Sequence, residues 1–293
     1  MDRLLERFCV VDDFVQLCLP ELSKTWLPAP PPHGERPSMH LSEVMTILVQ
    51  FHFSGCRHFK SYYTNVVQKY LKSDFPGLVS YSRFIELIPR TLIFMTLFLN
   101  ALLGTCTGIS IVDATAMRVC HFKRAKRNRV FKGLAAFGKS SMGFFFGFKL
   151  HLVINHLGEL LAVKLTPGNV DDRVPVPDFA EKLHGKLVGD KGYISAELAA
   201  KLRHLVELIT PLRKNMKGRL VRAVDAALIS KRALVETVIG QLKLVCHADH
   251  TRHRSPVNYM VNLLGGLIAY CLKPNKPSIA FNESSSSDAA VAA

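Results

Sequence analysis

The pattern of apolar and polar positions changes character once along the chain. Up to about residue 105 the segments are of helical length and mix the two kinds: "SEVMTILVQFHF", "FKSYYTNVVQKYL" and "SRFIELIPRTLIFMTLFLNALL". Pro89 is placed to begin a new helix within the third. "LPAPPPHGERP", residues 27–37, interrupts them and can only be an extended loop. From about 106 the texture becomes short strands separated by glycines. "ISIVDATAMRVC", residues 109–120, is rich in β-branched and apolar residues, as a buried strand should be. "GFKLHLVIN" alternates, "LGE" turns and "LLAVKLT" returns, so three antiparallel strands are expected. "PGNVDD" breaks the chain before a helix expected to run to about Leu183, and "KLVGD" reads as a short buried strand. "SAELAAKLRHL" is a helix with Ser195 as N-cap, "VELITPL" a further strand, and one long helix covers roughly 222–245. The low-complexity tail "NESSSSDAAVAA" has nothing with which to build a core.

A helical preface followed by βββαβαβα predicts an α/β fold with a ribonuclease-H-like core. Such a core is a mixed five-stranded sheet with flanking helices, preceded here by an all-α region. The expected division is 1–105 for the helical region, 106–272 for the sheet domain and 273–293 for a disordered tail. Within this frame Asp113 is anomalous. It shares one strand face with Ile109, Ile111, Thr115 and Met117, where a carboxylate costs several kcal/mol unless something meets it. The alternative is a shorter strand that ends at Asp113 in a turn.

Composition adds a partner class. The 293 residues carry 38 Lys+Arg against 23 Asp+Glu, a net charge of +15, which favours a polyanion. Nucleic acid comes first and an anionic membrane second. Residues 91–112 contain no charged side chain, but Asn100, four threonines and two glycines dilute them. They read as a buried helix, a turn and the Asp113 strand rather than as a membrane span. Seven cysteines without a C-x-x-C pair, and no signal-peptide pattern, predict a reduced cytoplasmic protein.

Two further carboxylates fall where this topology converges. Asp190 ends the fourth expected strand in "VGDKGY", where ligands bind in α/β sheets; an ordinary turn aspartate is the plainer reading. On the long helix, Leu228, Val235, Ile239, Leu242 and Cys246 form a core stripe, and Arg232, Glu236 and Lys243 border it. A solvated salt-bridging flank is the alternative there. Three acids meeting at one point repel each other, and divalent cations relieve that repulsion. Hard oxygen ligands suit Mg²⁺ or Mn²⁺, and two ions about 3.5–4 Å apart can clamp a phosphodiester in transfer.

The stretches "IVDATAMRVC", "GFKLHLVINHLGELLAVKLTPGNVDD", "VGDKGY" and "RALVETVIGQLK" resemble the DDE transposases of bacterial insertion sequences. "LSEVMTILVQFHFSGCRHFKSYY", "SYSRF" and "RHRSPVNYMVNLLGGLIAYCLKPNKPSI" narrow the likeness to insertion-sequence family 982, over about residues 35–280. The resemblance implies metal-dependent DNA cleavage and joining, with Asp113, Asp190 and Glu236 as catalytic, metal-binding triad. It implies transposon terminal inverted repeats and target DNA as partners, a homodimer on DNA, and Arg232 and Lys243 holding phosphates. The related signature Tyr-x₂-Arg-x₃-Glu-x₆-Lys is kept except that Ile229 stands where the tyrosine would be.

Between Asp113 and Glu159 there is no acidic residue and there are nine Lys/Arg. Six of them, Lys123, Arg124, Lys126, Arg127, Arg129 and Lys132, crowd one loop expected to grip DNA phosphates. "PLRKNMKGR", residues 211–219, is a second basic patch. Asp171 and Asp172 read as structural residues before a helix. "CHADHTRHR" matches no standard zinc spacing and reads as a DNA-facing turn. Two rival functions stay open: a nuclease of this fold that cuts and never joins, and a non-catalytic DNA-binding descendant of a transposase.

Overall fold

A computed structural model describes residues 3–25, 39–140, 143–212, 222–249 and 253–279. The expected loop at 27–37, most of the second basic patch, and the tail from 280 lie outside the described residues. The helical preface comprises α1 (Arg3–Thr25), α2 (Leu41–Phe51), α3 (Phe59–Tyr62), α4 (Gln68–Tyr70), α5 (Tyr81–Leu87) and α6 (Leu92–Ala101). A π turn, Tyr63–Val67, joins α3 to α4, and a 3₁₀ turn containing Pro89 joins α5 to α6. The sheet region then runs β1 (Ile109–Cys120), β2 (Ala136–Ser140), β3 (Gly143–Asn155), β4 (Leu160–Pro167), α7 (Val176–Ala180), β5 (Lys186–Val188), α8 (Ala196–Leu202) and β6 (Glu207–Ile209). Three helices close the chain: α9 (Ala223–Ser230), α10 (Ala233–Leu244) and α11 (Pro256–Cys271).

β1 is central. It pairs antiparallel with β3, with Asp113 opposite Leu152, and parallel with β5, which pairs parallel with β6. β4 pairs with the far edge of β3, giving the five expected strands in ribonuclease-H order. A short sixth strand, β2, was not expected; it pairs with the first residues of β3 on the same edge as β4. Alternation sorts the two faces. Val112, Val153 and Leu187 pack with Phe179 of α7 and Leu198 and Leu202 of α8. Ile111, Met117, Leu150, Leu152 and Ile154 belong to a larger core with Val235, Val238 and Leu242 of α10. Ser195 caps α8 as expected, its hydroxyl accepting from the Leu198 N–H at 3.2 Å.

Two expected helices are shorter than the sequence pattern suggests. The one expected to reach Leu183 is only α7, which starts after Pro175 and gives way to a turn. The helix expected over 222–245 is split at Lys231–Arg232. There the bonds tighten: the Leu234 N–H donates to Lys231 O and the Val235 N–H to Arg232 O. The Ser230 hydroxyl bonds back to Ala227 O at 2.7 Å and competes with the helix ladder. The core stripe keeps its expected members Leu228, Val235, Leu242 and Cys246, while Ile239 is half-buried.

α11 packs on α2 and α6 and so joins the helical preface. Tyr81–Ala101 is long and apolar enough to cross a membrane by length and composition. Its α6 part buries Phe94, Met95, Phe98 and Leu99 against the neighbouring helices, which accounts for the apolar run. His52, fully buried at the end of α2, touches the Cys246 carbonyl beyond α10. Gly265 of α11 makes room for it; a Cβ there would lie 2.8 Å from the imidazole Nε2.

The tightest approach within the sheet is at Gly147 of β3, where a Cβ would lie 2.1 Å from the Met117 carbonyl oxygen. Backbone cannot yield there as a flexible side chain could. Gly147→Ala is therefore expected to destabilise the protein by about 3 kcal/mol or more, read as a lowered midpoint in urea unfolding.

Candidate functional site

The expected carboxylates come from three elements. Asp113 is mid-strand in β1, as its face-sharing residues predict, and the shorter-strand alternative is excluded. Asp190 lies two residues beyond β5 and starts a 3₁₀ turn, its Oδ1 accepting from the Gly192 N–H at 2.8 Å. Glu236 is in the first turn of α10. All three line one open cleft of 1050 Å³, together with Arg232, Lys243 and Asp172.

Electrostatics make Asp113 the strained member. Burial pushes its pKa up to about 6, and the nearby Asp190 and Glu236 push the same way. The Ala114 N–H, 2.8 Å from Oδ1, and the Arg232 guanidinium oppose the rise. Arg232 bridges two acids: its Nη1 is 3.6 Å from Asp113 Oδ2, and its Nη2 donates to Glu236 Oε1. Lys243, one helical face along, donates to the Ala116 carbonyl at 2.9 Å and so ties α10 to β1. Burial lowers its pKa, with Asp249 acting against that.

The cleft also gathers residues whose role the sequence pattern did not disclose. Asp172 was expected to precede and favour a helix. Its Oδ1 instead pairs with Lys149 Nζ at 2.9 Å, and α7 starts only four residues later. Lys149 also donates to Val170 O at 2.8 Å, fixing the loop after β4 beside the cleft. Asp171 makes a local turn, binding Arg173 through both its backbone and its guanidinium. Tyr193, buried after Asp190, has a hydroxyl without a partner among the described residues. Its pKa is raised by burial and then by Asp113, Asp172 and Asp190. The one sequence signal, for Lys149 alone, was the acid-free stretch between Asp113 and Glu159.

The six basic residues of the 123–132 loop are all exposed, and none of them lines the cleft. The loop is a 3₁₀ turn, Phe122–Arg127, followed by irregular chain pinned by buried Ala125 and Phe131. Phe131 packs edge-on against Phe148 and Tyr259. The cations inside the cleft are Arg118, Lys139, Lys149, Arg232 and Lys243.

The donor chemistry fits a hard divalent cation: carboxylate oxygens from separate elements, mutually repelling, with no sulfur or imidazole among the described residues that line the cleft. Among the described residues no three His, Cys, Asp or Glu side chains are gathered closely enough to hold one ion. Arg232 supplies the positive charge between Asp113 and Glu236. The zinc alternative at 246–254 is only partly within the described residues, since 250–252 lie outside them.

Burial of Asp113 carries a stability consequence of definite sign. Its folded pKa exceeds the ordinary 3.8, so its contribution is fully present below 3.8 and is lost as pH rises through about 6. The loss is on the order of 3 kcal/mol. In chelator-containing buffer, Asp113→Asn is expected to melt several degrees above the unsubstituted protein at pH 8. The difference should close by pH 4 in calorimetric scans.

The family described as Transposase DDE domain matches residues 103–256, more than half of the chain. No curated protein matches it significantly.

Proposed function

The chain belongs to the Transposase DDE domain family, and from that premise we propose that it cuts DNA at transposon ends and joins the freed ends to target DNA. The observation that carries this reading is the single cleft in which Asp113, Asp190 and Glu236 meet Arg232 and Lys243. DDE domains generally use divalent metal ions. Here Asp113, Asp190 and Glu236 would hold Mg²⁺ or Mn²⁺, two ions in the full reading. Bound there, the metal neutralises phosphate charge and favours deprotonation of the attacking hydroxyl.

The remaining work falls to the protein's own groups. Asp113 sits on the central strand, so its carboxylate is held more rigidly than a loop could hold it. Arg232 serves as the resting counter-charge and would have to release Glu236, Asp113 or both for those carboxylates to hold a cation. Its guanidinium is then free to bind a phosphate in bidentate fashion. Lys243 holds a second phosphate oxygen from its anchored position on α10. Attack by water on phosphorus breaks the bond to the 3′ oxygen of the element's end, which takes up a proton. That 3′ oxygen then attacks a target phosphorus and displaces the target's own 3′ oxygen. The exposed loop from Lys123 to Lys132 lies outside the cleft and would bind flanking phosphates by charge, without reading sequence.

Finer expectations belong to the same proposal. Residues 106–272 would be the catalytic unit and 1–105 the reader of the terminal inverted repeats, acting as a homodimer on DNA in the cytoplasm, at the nucleoid. Membership of insertion-sequence family 982 rests on the likeness of the helical preface and the closing helix. Ile229 would not supply whatever DNA contact the tyrosine of the related signature makes.

The decisive assay uses the element's own end DNA with Mg²⁺ or Mn²⁺, in nicking and strand-transfer formats. Asp113→Asn, Asp190→Asn and Glu236→Gln should each lower nicking by roughly a hundredfold or more while leaving DNA binding intact. Joining of a pre-cleaved 3′-hydroxyl end separates a transposase from a nuclease that only cuts. Binding without any cleavage, unaffected by Glu236→Ala, would leave only a catalytically inert DNA-binding protein.

A second measurement addresses the loop. Replacing Lys123, Arg124, Lys126, Arg127, Arg129 and Lys132 by alanine should flatten the dependence of log affinity on log salt by up to about 5. An unchanged slope would remove the loop from the DNA path.

A further inference from the structure

A second cavity, of 710 Å³, opens between the helical preface and α11. Its walls are unlike those of the catalytic cleft. Phe59 and Tyr81 contribute aromatic faces, their ring centroids 6.5 Å apart. Lys60 sits over the Tyr81 ring at 5.7 Å, and Arg254 is exposed beside the opening. Asn258 and Asn262, one turn apart on α11, line the inner side. Among the described residues, Asn258 Oδ1 and Asn262 Nδ2 are buried and have no hydrogen-bond partner. A buried acceptor and a buried donor left open cost about 1–3 kcal/mol each, which a ligand supplying both partners would recover.

A planar group with a donor and an acceptor on one edge, flanked by aromatic faces and tethered to an anion, describes a nucleotide. Asparagine amides pair with base edges in this way, and aromatic faces stack on bases whatever their sequence. Continuity with the catalytic cleft supports the same occupant. Asp249 lines that cleft and His253 lines this cavity. Four peptide steps span at most about 14 Å, the length of roughly four stacked nucleotides.

We infer that this cavity binds an unpaired nucleotide of the DNA strand that also occupies the catalytic cleft. Tyr81, backed by Phe59, stacks on the base, Asn258 and Asn262 pair with its edge, and Lys60 and Arg254 hold its phosphates. This rests on the reading of the chain as a DNA-acting protein, and a single set of titrations separates the two. The probes are a single-stranded 12-mer carrying one 2-aminopurine and a fully paired duplex of the same sequence, titrated into the full chain at fixed salt. Tyr81→Ala and the double change Asn258→Ala with Asn262→Ala should weaken single-strand binding about tenfold. They should also abolish the quenching of 2-aminopurine and leave duplex affinity within about twofold. Ser82→Trp, at the exposed rim, should block the cavity and give the same result without disturbing the core, its melting temperature unchanged. Unchanged single-strand affinity and quenching in these variants, or equal losses for both probes, overturns the cavity assignment alone. Failure of the unsubstituted protein to bind either probe overturns the DNA reading itself.

Discussion

Asp113 carries a partly buried negative charge on the central strand, and much of the surrounding architecture answers to it. A carboxylate there loses solvation that neither its backbone hydrogen bond nor a single neighbour restores, and its pKa stays elevated, at about 6. Arg232 reaches it from the start of α10 and binds Glu236 with the same guanidinium. That reach depends on how α10 is seated. Val235, Val238 and Leu242 press it against the β1 face bearing Ile111 and Met117, and Lys243 fastens it to the Ala116 carbonyl. The apolar stripe of α10 therefore positions a charged edge whose groups compensate, and compete for, the same acids.

Such a site is electrostatically poised rather than settled. Asp113, Asp190 and Glu236 share one cleft, where the other two push the Asp113 pKa up, and Arg232 supplies a cation between Asp113 and Glu236. The pair is partly exposed, so its intrinsic worth is modest and exchange of the arginine for another cation is energetically accessible. Lys149 and Asp172 form a second compensated pair in the cleft lining. The cleft thus sets cationic and acidic side chains side by side.

The helical preface and the sheet share a core, because α11 returns to pack on α2 and α6 after α10 has covered the sheet. His52 and the Cys246 carbonyl meet at that seam. One consequence is that the segment leaving α10 borders the catalytic cleft at Asp249 and the second cavity at His253.

Much of this was legible from local pattern. Period-two alternation placed Asp113 mid-strand, Ser195 announced its cap, Pro89 marked a new helical start, and the order of elements identified the sheet topology. Those signals depend on a residue and its near neighbours, which is why sequence carries them. The break at Lys231–Arg232 was hidden, because an apolar stripe continues across it and only Ser230 hinted at competition for the ladder.

What tertiary structure alone decided is which charges meet. Asp172 resembles its neighbour Asp171 in sequence, yet one faces Lys149 in the cleft and the other closes a local turn with Arg173. The six loop cations, the strongest charge signal in the chain, lie outside the cleft, whereas the scattered Arg118, Lys139 and Lys149 line it. Sequence determined the elements, since helix and strand preferences are short-range. Charge pairing depends on distances of a few ångströms between residues tens of positions apart, and those exist only after the strands are in register and α10 is seated.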